Sequence, residues 1–314
     1  MRLITCLLLG VALTACAKES GLRASSVTLP NDECALPEGW QSISARDPDY
    51  VVFGETHGTR EAPAFFYSIA CSLARDGERL LVAIEFSPFY DQALQDAWNA
   101  DAGQFESRLL QAGWRGRIDG VASEAMFEMV RGLHRLRQAG YSIDITAFNG
   151  AGDEEQRSRL ANLPGQGPHE AAQAENIAAA AKARCYDRVL VLVGNLHAEK
   201  QTIELGNGAF DPMAKRLEAY GSVLSLDMRY GAGTSWSCRL RSDFDRAGAS
   251  PPADSDIDCS VHQEKANGSF GPRPFVALTD DPDDPRNENF DGFFWVGPIM
   301  ASPPKAPTKE NKKP

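Results

Sequence analysis

Two histidines in this chain share one local context, an apolar run closed by a glycine. The first run is Val51-Val52-Phe53, followed by Gly54-Glu55-Thr56-His57. The second is Val189-Leu190-Val191-Leu192-Val193, followed by Gly194-Asn195-Leu196-His197. A third apolar run, Leu80-Leu81-Val82-Ala83-Ile84, ends directly on an acid, Glu85. Imidazoles and carboxylates brought together can do two kinds of chemistry. They can offer N and O ligands to a divalent metal. Alternatively, a carboxylate can orient an imidazole that takes a proton from water, its negative charge favouring imidazolium and so strengthening the base. Glu55, His57, Glu85 and His197 are therefore the candidate catalytic residues. Glu55, His57 and His197 are the candidate metal ligands, and His57 and His197 the candidate cofactor ligands. Arg60 could meet an anion or carboxylate, Asn195 is a turn residue that could face the same space, and His169 stands near a helix start. His134 and His262 read as surface residues.

These side chains can meet only if the elements that carry them end on one edge. The pattern around them supplies such an edge. After Tyr50–Phe53, the segment Ala62–Arg75 places Phe65, Phe66, Ile69 and Leu73 at helical spacing. Leu80–Ile84 is continuously apolar, as a parallel strand covered on both faces should be. Helices are expected at Pro88–Trp98, at Phe105–Trp114 and at 123–139, the last capped by Ser123 and carrying Met126, Phe127, Val130, Leu133 and Leu136 on one face. A strand at Tyr141–Phe148 precedes an exposed connection, Gly152–Pro168. The Ala-rich helix Glu170–Arg184, the strand Val189–Val193, a short helix Pro212–Tyr220 and the strand Val223–Leu226 continue the alternation. Strands alternating with helices specify an α/β fold, a mostly parallel sheet flanked by helices. In open sheets of this class ligands bind at the carboxyl edge. Beyond residue 230 the chain turns rich in Gly, Pro, Ser and Asp, with strand-like pieces at Trp236–Leu240, Phe275–Leu278 and Phe293–Val296. The expected organisation is a single α/β domain over 36–300, its core about 50–230 and an irregular C-terminal elaboration over 231–300. Residues 301–314, basic and Pro-rich, read as a disordered tail.

The first sixteen residues read as a leader: Arg2, then the apolar stretch Ile4–Leu13, too short to span a bilayer. It closes on Leu13-Thr14-Ala15-Cys16, which resembles a bacterial lipobox, so Cys16 is the expected lipidation site and 17–35 a polar tether. This predicts a lipid-anchored protein of the bacterial cell envelope, facing the periplasm from the outer membrane. Cys34, Cys71, Cys185, Cys238 and Cys259 remain in the mature chain. Cys238 and Cys259 flank a loop that a disulfide would restrain, whereas Cys71 and Cys185 read as core residues of helices. A formal net charge of -11 carries no basic footprint for nucleic acid.

The same residues carry a resemblance. Gly54-Glu55-Thr56-His57 resembles the GExH element of the superfamily that joins erythromycin-esterase-like proteins, ChaN-like haem-binding lipoproteins and the Tiki/TraB group. Glu85 after its strand and Gly194-Asn195-Leu196-His197-Ala198 are similar to two further signatures. His169-Glu170-Ala171-Ala172-Gln173-Ala174 matches a fourth, an Arg-acid-x-x-Met-Ala helix opening, with the Arg and Met positions changed. The resemblance spans about Tyr50 to Ala198, and implies an α/β fold with a cleft at the carboxyl edge. It also implies one of three functions: a metal-assisted or His/Glu-based hydrolase of ester or peptide bonds, a haem-binding lipoprotein for iron uptake, or a catalytically silent envelope binding protein. The implied partners are a small-molecule or peptide substrate, or haem, and a second copy of the chain in a homodimer. The membrane is reached through the N-terminal lipid.

Overall fold

The structure, a computed structural model, describes residues 34–206, 208–241, 253–279 and 288–307. The leader, Cys16 and the tether up to residue 33 lie outside them. In chain order the elements are α1 (Trp40–Ser44), β1 (Tyr50–Glu55), α2 (Glu61–Arg75), β2 (Leu80–Ile84), α3 (Asp91–Trp98), α4 (Ala102–Leu109), α5 (Glu124–Gln138) and β3 (Ile143–Ala147). There follow α6 (Glu154–Leu160), α7 (Gly167–Lys182), β4 (Arg188–Gly194), the short hairpin β5 (Ile203–Leu205) and β6 (Gly208–Phe210), and α8 (Met213–Leu217). The last strands are β7 (Val223–Gly231), β8 (Gly233–Leu240), β9 (Ile257–Glu264), β10 (Phe275–Leu278) and β11 (Gly292–Pro298).

Seven strands form one sheet in the order β10-β11-β7-β1-β4-β2-β3, parallel throughout except that β10 runs against β11. The fold is thus α/β with a mostly parallel sheet. The chain leaves β1 for β2 but later threads β4 between them, so β4 pairs with β1 on one side and β2 on the other. Alternate strand residues feed opposite layers, as the two-residue period of a strand requires. Val51, Phe53, Val82, Ile84, Leu190 and Leu192 pack toward α1 to α5, while Tyr50, Val52, Leu81, Ala83, Val189, Val191 and Val193 pack toward α7 and α8. Both faces being covered is why these runs show no polar alternation. Phe53 meets Phe66 and Phe294 edge-on at centroid distances of 5.3 and 5.4 Å, fixing α2 and β11 against the strand that ends at Glu55.

Several segments depart from the sequence reading. Gly152–Pro168 is not an open connection: Asp153 accepts a hydrogen bond from Gln156 N at 2.7 Å and starts α6. Acid at the cap and in the first turn is an ordinary N-terminal signal. Helix α7 begins at Gly167, with Pro168 in its first turn. The helix expected to reach Trp114 ends at Leu109 and continues as a turn kinked at Ala112 and Gly113. The expected C-terminal elaboration supplies β10 and β11 to the main sheet. Residues 301–307 are not a loose tail, since Ala301 bridges Thr59, Pro304 bridges Ser123 and Ala306 bridges Arg115; 308–314 lie outside the described residues. Cys71 is buried but joined to Cys34, which ties the end of the expected tether to α2. Cys185 lies beyond the end of α7 and is half-buried rather than a helical core residue. Cys238 and Cys259 are joined across β8 and β9. His134 is 1 % exposed, not on the surface: it stacks on Phe105 at 3.7 Å and its Nε2 lies 3.1 Å from the Ala100 carbonyl. No helix among the described residues is long and apolar enough to cross a membrane.

Candidate active site at the carboxyl edge of the sheet

The carboxyl ends of β1, β4 and β2 lie side by side and bring Glu55, His57, Glu85 and His197 together. Glu55 is the last residue of β1, 3 % exposed, and its Oε1 meets His57 Nδ1 at 2.9 Å. The other ring nitrogen of His57 lies 3.2 Å from Glu85 Oε2. Glu85 is also buried and accepts from the Gly194 backbone N–H at 2.6 Å. The glycine at 194 is required by this approach, because a Cβ there would stand 2.7 Å from His57 Nε2. His197 stands in the turn after β4, with Nδ1 2.8 and 2.9 Å from the two oxygens of Glu170. Its Nε2 faces Glu85 Oε1 at 3.7 Å, beyond hydrogen-bond length.

Glu170 is the residue that strand-end reasoning left out. It is fully buried in the first turn of α7 and also accepts from the Met213 backbone N–H at 2.9 Å. The sequence held a signal, since Glu170 is the acid of the helix-opening motif. Its distance to His197 depends on how α7 crosses the sheet.

Charge follows from this packing. Burial alone would lower the His57 imidazole; Glu85 and Glu55 beside it overcome that and hold it well above the ordinary histidine value. Burial would raise Glu85; His57, His197 and the Gly194 N–H hold it down to about 2. His197 is likewise raised against burial, mainly by its bond to Glu170. His169, whose ring centroid lies 5.7 Å from that of His197, is lowered by its burial.

The loop carrying His57 is held from above. Gly58, at φ +70°, gives its carbonyl to Trp236 N at 2.9 Å and Ser302 N at 2.7 Å. A Cβ at Gly58 would stand 2.0 Å from the Trp236 carbonyl oxygen, so the turn accepts only glycine. Trp236 belongs to β8, locked to β9 by the Cys238–Cys259 bond, and its indole donates to the Ile118 carbonyl at 2.8 Å.

The remaining candidates are placed differently. Asn195 turns to Asp227, in the middle of β7, and donates to its carboxylate. Arg60 is exposed, donates to the Ala301 carbonyl at 3.3 Å, and lines a cavity of about 610 Å³ between α2 and α5 with Tyr67 and Glu128. None of the four convergent residues lines that cavity. The expected metal set of Glu55, His57 and His197 does not form a ligand cage. Both His57 nitrogens are engaged by carboxylates, and the described residues contain no group of three or more His, Cys, Asp or Glu side chains disposed around a metal. Glu55 Oε2 is buried and has no hydrogen-bond partner among the described residues.

No family model matches the sequence. No curated protein matches it. Solved structures do. Erythromycin esterase EreC, a histidine-to-asparagine variant in its open conformation, superposes with a TM-score of 0.57 at 12 % identity, over 85 % of this chain and 94 % of that one. A succinoglycan biosynthesis protein gives 0.56, also at 12 % identity, over 85 % and 92 %. ChaN of Campylobacter jejuni, with cofacially bound haem, gives 0.37 at 11 % identity over 62 % and 86 %, too low to argue from. The first two show that the fold is the one the motif resemblance implied, and they show the fold alone.

Proposed function

We propose that this chain is a hydrolase in which an oriented imidazole activates water against an ester or amide carbonyl. The carrying observation is the His197–Glu170 pair: Nδ1 held by both oxygens of a buried carboxylate, and Nε2 open. An imidazole so held has its proton on Nδ1 and its lone pair on Nε2, which is the arrangement a general base needs. In the proposed step His197 Nε2 takes a proton from water, the resulting hydroxide bonds to the carbonyl carbon, and the carbon–heteroatom bond breaks. His57, held as imidazolium between Glu55 and Glu85 with 28 % of its side chain exposed, supplies positive charge beside the reacting carbonyl, and His197 Nε2 passes the proton it took from water to the leaving group.

The lipobox-like leader and the Cys34–Cys71 and Cys238–Cys259 bonds support a place in an oxidising compartment; we place the protein in the cell envelope, anchored through Cys16. A panel of p-nitrophenyl esters and peptide amides tests the activity: Glu170→Gln should retain the fold and lose roughly 10²- to 10⁴-fold in kcat. Full activity in that variant would remove the proposed base. A second reading, haem carriage, would use the same open Nε2 of His197 as the iron ligand. A Soret band retained by purified protein and lost in His197→Ala would favour it.

A further inference from the structure

On the side away from His57, Glu85 begins a chain of side-chain contacts. Asn149 Nδ2 donates to Glu85 Oε1 at 3.4 Å. A carboxylate only accepts, so the Asn149 NH₂ must face it and Oδ1 must face away. That oxygen meets Gln173 Nε2 at 2.9 Å. The same Gln173 NH₂ lies 2.9 Å from His169 Nε2. An amide NH₂ only donates, so this ring nitrogen must present a lone pair and the ring proton must sit on Nδ1.

We infer that Glu85, Asn149 and Gln173 form a relay that fixes His169 as the Nδ1–H tautomer, a neutral donor for the carbonyl or anionic oxygen of a bound ligand. Three further observations support it. His169 lies in the first turn of the sixteen-residue helix α7, whose positive end favours negative charge on a bound oxygen. Its ring stands beside that of His197 and is half-buried, with Nδ1 on the side of Gly150. Gln173 is fully buried, and its Oε1 has no hydrogen-bond partner among the described residues. The reversed amide would set two oxygens, Gln173 Oε1 and Asn149 Oδ1, against each other. The groups facing His169 are Glu170, His197 and Glu85; burial, joined by His197, outweighs the two carboxylates and keeps the ring neutral. A neutral imidazole at a helix N-terminus is suited to polarise a carbonyl rather than to take its proton. Each of the three imidazoles then has its own role, with His197 as base, His57 as imidazolium and His169 as neutral donor. Asn149 and Gln173 are positioning residues, acting only through His169.

The tautomer assignment is independent of turnover; the identity of the bound oxygen as an acyl oxygen rests on the hydrolase reading. Two-bond ¹H–¹⁵N spectra of the folded protein near neutral pH should show His169 protonated at Nδ1 and bare at Nε2. In Gln173→Glu the new carboxylate accepts from Nε2, so the tautomer should reverse. Asn149→Ala, which leaves the Gln173 amide free to turn, should give a mixture of both forms and serves if the Glu variant fails to fold. Methylphosphonate, a tetrahedral anion probe, should shift the His169 Nδ1–H resonance in the wild type and bind at least tenfold more weakly in Gln173→Glu. An Nε2–H tautomer in the wild type, an unchanged tautomer in Asn149→Ala, or no response to methylphosphonate would overturn the inference. Methylphosphonate binding without turnover of any ester would leave the relay standing and count against the hydrolase reading alone.

Discussion

Two imidazoles in this molecule have opposite surroundings. His134 lies in α5 among Phe105 and Trp98, with backbone carbonyls and the Gln138 amide as its polar contacts and no carboxylate, and burial lowers its pKa. His57 lies at the sheet edge between two carboxylates, and its pKa is raised although burial acts in the same direction on both. The helical layer treats histidine as a flat ring stacked among aromatics and held by neutral polar groups. The strand edge collects charge that the apolar layers on either side of the sheet exclude. Burial alone therefore does not mark a site here; burial with uncancelled carboxylates does.

Removing charge from the edge should erase this contrast. Glu170→Gln should cost activity by roughly two to four orders of magnitude, while His134→Phe should leave turnover unchanged. Glu85→Gln should come next, since it strips both histidines of a partner and leaves the half-buried His57 imidazolium with Glu55 alone. A loss of about 3 kcal/mol in stability is expected, measured by urea unfolding at neutral pH, with His57 titrating closer to the ordinary histidine value.

The pH dependence follows from the same shifts. Glu85 is depressed to about 2 in the folded chain, so its contribution to stability is present above the usual carboxylate range near 4.5 and is lost as pH falls toward 2. His57 is raised, so its contribution is complete below about 6.5 and is lost as pH rises through the higher folded value. A base with a raised pKa must also shed its proton, so kcat should climb with pH above the ordinary histidine range before His57 deprotonates and the rate falls. A profile centred near pH 6 would contradict the assignment. Gly58→Ala should have a smaller effect, about 1–3 kcal/mol of strain, because its Cβ meets the Trp236 carbonyl; kcat should fall more than KM changes as the His57 loop shifts. His134→Phe should change the unfolding free energy least, by under about 1.5 kcal/mol, since a ring of similar volume can keep the stack on Phe105.

Much of this arrangement could be read from residue order. Leu80–Ile84 has the expected bounds, and the glycine after each apolar run does place Glu55, His57 and His197 at one edge. What was not legible depends on how elements cross. That β4 lies between β1 and β2 is set by sheet topology, and so Glu85 reaches both histidines although it is over a hundred residues from His197. Glu170 acts from a helix rather than a strand end, and nothing local to it reveals the imidazole it faces. His134, by contrast, could have been found, because it stands four residues after Val130 on the apolar face of α5. Cys34 and Cys71 are joined only because α2 turns its buried face toward the start of the domain.

An NMR titration of the histidine side chains would decide whether the strand edge, rather than burial, sets the charge of its imidazoles. His57 and His197 should titrate above the ordinary histidine value, and His134 and His169 below it. All four falling together, or His57 titrating with His134, would contradict that assignment of charge.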